Sequence, residues 1–151
     1  KEKNFIQYEI SNFGEKGFFS KHNSSYWSGS EYLGFGPSSH SYNGNSRQWN
    51  VSNNNKYINS LSENKVPYEI EHLTKSQKYN EYILTSLRTM WGLDIYFIKN
   101  TFGEKYYNFL MKKIKKWIHS TDIFKKGEKI ILTEKGKFIS DTIFADLFCM
   151  P

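Results

Sequence analysis

Near residue 50 the apolar pattern of this chain changes period, and that change limits the folds open to it. Before it, short stretches alternate as strands do. Asn4-Phe5-Ile6-Gln7-Tyr8-Glu9-Ile10 is the clearest, and Tyr32 to Phe35 is a second candidate. Six of the ten glycines (14, 17, 29, 34, 36 and 44) fall in the same third, among many Ser and Asn, which predicts strands joined by loops. The polar run Asn50-Val51-Ser52-Asn53-Asn54-Asn55 marks the junction, so domains 1–50 and 51–151 are expected.

After the junction the period is helical. Lys56 to Asn64 reads as a short helix. Thr74 with Gln77 three residues on resembles a capping box, and Tyr79, Ile83, Leu87 and Met90 then form one apolar stripe that Gly92 is placed to end. A second helix is expected over 104–119, burying Tyr107, Leu110, Met111, Ile114, Trp117 and Ile118, with Lys112, Lys113, Lys115 and Lys116 mostly opposite. Ile95 to Asn100 is a possible short helix between them. Phe124 to Leu132 reads as two strands turning at Lys126-Gly127. Thr133 should cap a last helix with Phe138, Ile139, Ile143, Leu147 and Phe148 inward. Helices, a hairpin and a packed helix in that order make a winged-helix-like arrangement.

Composition narrows the function classes. A chain of 151 residues with 38% hydrophobic and 18% aromatic content can bury a core. Its longest apolar runs, such as Ile130-Ile131-Leu132, are far too short to span a bilayer. Lys1 leads straight into a strand-like segment, without an initiator Met or an apolar leader, so the chain reads as a piece of a longer protein. The single cysteine, Cys149, excludes an intrachain disulfide, fits a reducing, cytoplasmic setting and reads as a small apolar residue. It also excludes a four-cysteine zinc site or a cysteine-held iron–sulfur cluster built from this chain alone. The net charge of +6 is concentrated in residues 101–137, which hold ten lysines against four acids. A solvated helix face is the plainer reading, and a nucleic-acid or acidic-partner surface the sharper one.

No residue set declares a reaction. His22 lies in His22-Asn23-Ser24-Ser25-Tyr26-Trp27, and His40 follows the flexible loop Gly34-Phe35-Gly36-Pro37-Ser38-Ser39. His72 and His119 sit at expected helix ends. No histidine pair has zinc-protease spacing, and Gly34-Phe35-Gly36 lacks the third glycine and following helix of a dinucleotide site.

Several segments together resemble a known family. Tyr8-Glu9-Ile10-Ser11-Asn12-Phe13, Ser20 to Trp27, and Tyr32-Leu33-Gly34-Phe35-Gly36-Pro37-Ser38-Ser39-His40-Ser41-Tyr42 are similar to the end of the catalytic domain of radical S-adenosylmethionine proteins of the coproporphyrinogen oxidase-like family. Glu81 to Thr89 and Leu132-Thr133-Glu134-Lys135-Gly136 resemble its C-terminal domain. The His-Asn-x-x-Tyr-Trp segment points to the heme-chaperone branch.

The resemblance implies an α+β fold, with a helical, winged-helix-like C-terminal domain preceded by the last strands of a partial TIM-type radical SAM barrel. In the parent it implies a 4Fe-4S cluster on a three-cysteine motif and S-adenosylmethionine. That motif has no match here, so the missing N-terminal barrel is the expected partner, and this segment alone is expected to hold no cofactor and to catalyse nothing. His22, Asn23, Tyr26 and Trp27 become candidates for a tetrapyrrole site, with His22 as heme axial ligand. Gly34, Gly36 and His40 become a candidate barrel-end loop near the cofactor. Three functions compete. A heme-carrier part ranks first, ahead of an enzyme part acting in oxidative decarboxylation of coproporphyrinogen III. A nucleic-acid-binding module comes last, because no recognition helix is identifiable and Asp141 and Asp146 lie on the final helix.

Overall fold

The alternation at the start of the chain builds a strand, β1 (Phe5–Glu9), in a computed structural model that describes residues 4–150. It turns back antiparallel into β2 (Asn12–Glu15). Past a short helix, α1 (Lys21–Trp27), the chain divides into two compact units. The larger combines residues 1–28 with 75–151, and the smaller is Gly29–Thr74.

The larger unit holds the hydrophobic core, and helical periodicity accounts for most of it. In α3 (Lys75–Leu87), Tyr79, Ile83 and Leu87 point inward, each no more than 1% exposed. Met90 lies past the end of the helix and is partly exposed, and its amide donates to Tyr8 O of β1. β6 (Leu93–Asp94) leads into a short helical segment, α4 (Ile95–Phe97), and a π-turn over Ile98–Phe102. Asp94 caps α4 by accepting from the amides of Tyr96 and Phe97. The next helix, α5 (Glu104–His119), has the expected bounds and buries Leu110 and Ile114, although Ile118 stays exposed. β7 (Ile123–Lys126) and β8 (Lys129–Leu132) form the expected hairpin, and β6 pairs with the other edge of β8.

The last helix differs from its prediction. Thr133 caps it, as expected, but α6 (Glu134–Phe138) stops at Ile139, and α7 (Ser140–Leu147) begins with a new phase. Phe138 is therefore 91% exposed and Ile139 is exposed, while Phe144 takes the buried place beside Ile143 and Leu147. The cause is Gly136. Its backbone lies so close to the Asp122 carbonyl that α6 turns its glycine face inward and Phe138 outward. The expected mixed class, helices with a hairpin and a packed terminal helix, holds.

The smaller unit is an antiparallel sheet, β3 (His40–Tyr42), β4 (Ser46–Asn50) and β5 (Tyr68–His72), in that order, with α2 (Asn54–Ser62) in the last connection. The boundary expected at residue 50 falls inside it, since Asn50 pairs with Tyr68 across the polar run. The asparagines there have structural work instead: Asn53 caps α2 by accepting from Lys56 N at 2.9 Å, and Asn50 is buried. Tyr32 to Phe35 is not a strand either. Tyr32 makes one bridge to Tyr42, and Leu33 and Phe35 face solvent.

Three carboxylates of the larger unit have lowered pKa values. Asp94 is held down by the Phe97 amide and then by Lys129, and Asp122 by the Ser120 hydroxyl and then by Lys135. For Asp146, burial pushes upward, but hydrogen bonds from Lys116, Trp117 and Lys113 outweigh it. A carboxyl lowered in the folded state adds stability above its unfolded value of about 3.9 and loses it as pH falls toward the folded value. Stability should therefore be flat near neutrality and decline below about pH 5. Asp146→Asn should cost about 1 kcal/mol at pH 7, a figure reduced for the exposure of its lysine partners, and should flatten part of the acid limb. A thermal-melt series from pH 7 to 3 checks this. An unaltered acid limb in Asp146→Asn would assign the decline to other groups.

Candidate functional site

The segment His22 to Trp27 forms α1 because Ser20 can cap it: its hydroxyl accepts from Asn23 N at 3.2 Å. None of the helix's residues is fully buried, so packing by its neighbours sets its position. Helical spacing sorts the four candidate residues into two stripes. His22 and Tyr26, one turn apart, are both exposed, with ring centroids 4.9 Å apart and planes at 89°, an edge-to-face pair. Asn23 and Trp27, on the adjacent stripe, turn toward the scaffold. The Asn23 amide donates to Asn12 Oδ1 at 3.3 Å, and the Trp27 ring lies under the Arg88 guanidinium, 5.1 Å from centroid to Cζ. The Trp27 Nε1–H is buried with no hydrogen-bond partner among the described residues.

Behind this stripe stands a pair that sequence reading did not single out. Glu9 is almost wholly buried, and its Oε1 accepts from Arg88 Nε at 2.9 Å and Nη2 at 2.8 Å. Both residues lie in segments that carry the family resemblance, but 79 positions separate them, and no local pattern reports such a pairing.

The second candidate loop belongs to the smaller unit. Gly34 N donates to Ser41 Oγ at 3.0 Å, and the glycine backbone sits against the His40 carbonyl. Gly36 has φ +94°, and its carbonyl accepts from Ser39 Oγ at 2.6 Å and Asn50 Nδ2 at 3.0 Å. His40 is exposed at the start of β3, opposite Trp49. An open groove of about 490 Å³ over this sheet is lined by Glu31, Tyr32, Leu33, Tyr42, Gln48 and Ile70, among others. Gly34, Gly36 and His40 are not part of its lining, although Leu33 and Ser41 beside them are.

Remaining candidates resolve simply. Cys149 packs against the core, with its backbone clamped by Asn80, whose Oδ1 accepts from Cys149 N at 2.8 Å and whose Nδ2 donates to Cys149 O at 3.1 Å. No group of three or more His, Cys, Asp or Glu side chains is placed to hold a metal among the described residues. Two of the four lysines of the basic helix face, Lys113 and Lys116, pair with Asp146 at 3.1 and 2.9 Å and tie α5 to α7. No described helix is long and apolar enough to cross a membrane.

No family model matches the chain. It is 34% identical over 143 residues to the heme chaperone HemW of Bacillus subtilis, an alignment covering 91% of this chain and 37% of that protein. It is 28% identical over 141 residues to the heme chaperone HemW of Lactococcus lactis, covering 93% of this chain and again 37% of the relative. A 36-residue stretch is 53% identical to the mitochondrial radical S-adenosyl methionine domain-containing protein 1 of Mus musculus. The fold superposes on the radical SAM coproporphyrinogen III oxidase HemN of Escherichia coli with a TM-score of 0.72 and 15% identity, over 96% of this chain and 37% of that one. The chain thus spans little more than a third of the relatives it matches along most of its length, and it matches their C-terminal part.

Proposed function

By sequence and fold the chain belongs with the C-terminal part of the coproporphyrinogen oxidase-like radical SAM family, and from that premise we propose that it is the heme-handling part of a heme chaperone. In this reading the first strands of the chain complete a catalytic barrel and the helices of its later part form the family's C-terminal domain. The observation that carries the heme reading is the exposed His22–Tyr26 stripe of α1. An imidazole open to solvent can ligate iron, and an aromatic ring one turn along can lie against the edge of a flat macrocycle. Asn23 and Trp27 then belong to the site by supporting it from behind.

The family's iron–sulfur cluster does not fit the residues present, because one thiol, Cys149, cannot replace three, and its backbone is fastened to Asn80. The cluster and S-adenosylmethionine are assigned to the upstream barrel of the parent protein, and no step of this chain runs through them. Oxidation of coproporphyrinogen is the second reading. It rests on the HemN superposition, which at 15% identity speaks for fold alone. A nucleic-acid role loses ground because Lys113 and Lys116 are engaged with Asp146.

A hemin titration of the parent protein, followed by the Soret band, tests the proposal. His22→Ala should shift the Soret maximum and weaken binding by about tenfold or more, with cluster content unchanged. An identical spectrum and affinity in His22→Ala would remove His22 from the site and leave the family assignment standing.

A further inference from the structure

We propose that the Glu9–Arg88 ion pair is a positioning device that fixes the rotation of α1, and with it the aim of His22; this rests on the heme reading above. The helix is seven residues long and contains no buried residue, so its own hydrogen bonds cannot hold it in place. Something outside must set it, and two routes lead to it from one buried carboxylate.

The first route runs through the guanidinium. Arg88 donates through Nε and Nη2 to a single oxygen, Glu9 Oε1, which locks the plane of the group. That group lies over the ring of Trp27 at the C-terminal end of α1, a cation–π contact with Cζ 5.1 Å from the ring centroid. The second route runs through the other oxygen. Glu9 Oε2 accepts from Ser11 N at 2.9 Å and from the Asn12 side-chain amide, and Asn12 Oδ1 in turn accepts from Asn23 Nδ2 in the first turn of α1. One anchor near each end fixes a short helix against both sliding and rotation. His22 and Tyr26, one position before each anchor, are then aimed without touching the pair.

The backbone holds the same junction. Ile10 N donates to Arg88 O and Met90 N to Tyr8 O, each at 3.0 Å, so Glu9 and Arg88 cannot drift apart. A carboxylate with a fully enclosed side chain is costly unless its oxygens are used, and two of its three partners, Arg88 and Asn12, lead on to α1.

The experiment uses the parent protein and two readouts, hemin spectra and amide hydrogen exchange. Arg88→Lys keeps the charge but loses the fork and the broad cation held over Trp27. It should speed exchange over residues 21–27, leave α5 protected, and weaken hemin binding by roughly tenfold with an altered Soret band. Asn12→Ala cuts only the second route and covers the case in which Arg88→Lys fails to fold; it should speed exchange in the first turn of α1. Unchanged exchange over 21–27 in both Arg88→Lys and Asn12→Ala would overturn the positioning role, even where His22→Ala still alters the spectrum. An unaltered spectrum in His22→Ala would instead sink the heme reading, while the exchange data still judged the clamp.

Discussion

Gly136→Ala is expected to destabilise the larger unit by about 3 kcal/mol, against the usual direction for such a change. In a helix, replacing glycine by alanine ordinarily stabilises by about 0.5–1 kcal/mol, because it removes backbone freedom from the unfolded chain. Here the added methyl would overlap the carbonyl of Asp122, a backbone group rather than the tip of a flexible side chain. That carbonyl cannot give way easily. It accepts from Thr133 N at 2.9 Å and Thr133 Oγ1 at 3.1 Å, while Lys135 Nζ holds Asp122 Oδ1 at 3.1 Å and Ser120 O at 3.0 Å. The segment Leu132 to Gly136 is therefore a fastening between α6 and the turn that leads from α5 into β7. Thermal denaturation should show a drop on the order of 10 °C. A melting temperature equal to or above that of the unaltered chain would mean that the turn yields and the close approach is incidental.

The elements legible in the sequence are those with a strong apolar period. α5 was readable, at about its observed bounds, because apolar residues recur at helical spacing around Leu110 and Ile114, the two that it buries. β3, β4 and β5 were not: Ser-Arg-Gln-Trp-Asn offers little apolar alternation, Tyr-Glu-Ile-Glu-His alternates over five residues only, and their sheet buries almost no side chains. The break at Ile139 was hidden for another reason: it depends on what Gly136 touches across the fold, which periodicity does not encode. The candidate site was half legible. The segment from His22 to Trp27 stood out as a motif, and its cap at Ser20 implies the two stripes. Which stripe faces the scaffold depends on Glu9 and Arg88, partners brought together only by tertiary structure.

Gly34→Ala is expected to open the smaller unit while leaving the larger one intact, and its outcome decides what the Gly34 to His40 loop is for. A methyl at Gly34 would collide with the backbone of His40, the first residue of β3, so the loop could not lie along the strand. The unit has little reserve to absorb this. Only Ser46, Asn50 and Leu73 are buried in it, and much of its order comes from polar contacts, such as Asn50 Nδ2 to Gly36 O and to Ser39 Oγ. A loss of roughly 2–3 kcal/mol is therefore enough to populate its open form. Gly36 makes the useful comparison. Its φ of +94° disfavours any other residue, but no atom lies near its would-be side chain, so Gly36→Ala should cost only about 1 kcal/mol. Amide exchange separates the cases: in Gly34→Ala the amides of Ser38 and Asn50, which donate to Val51 O and Ser39 O, should lose protection while those of α3 and α5 keep it. If those amides stay protected and only ligand binding by the parent protein falls, Gly34 is small to admit a ligand. If protection collapses first, the glycine is there for the chain's own backbone.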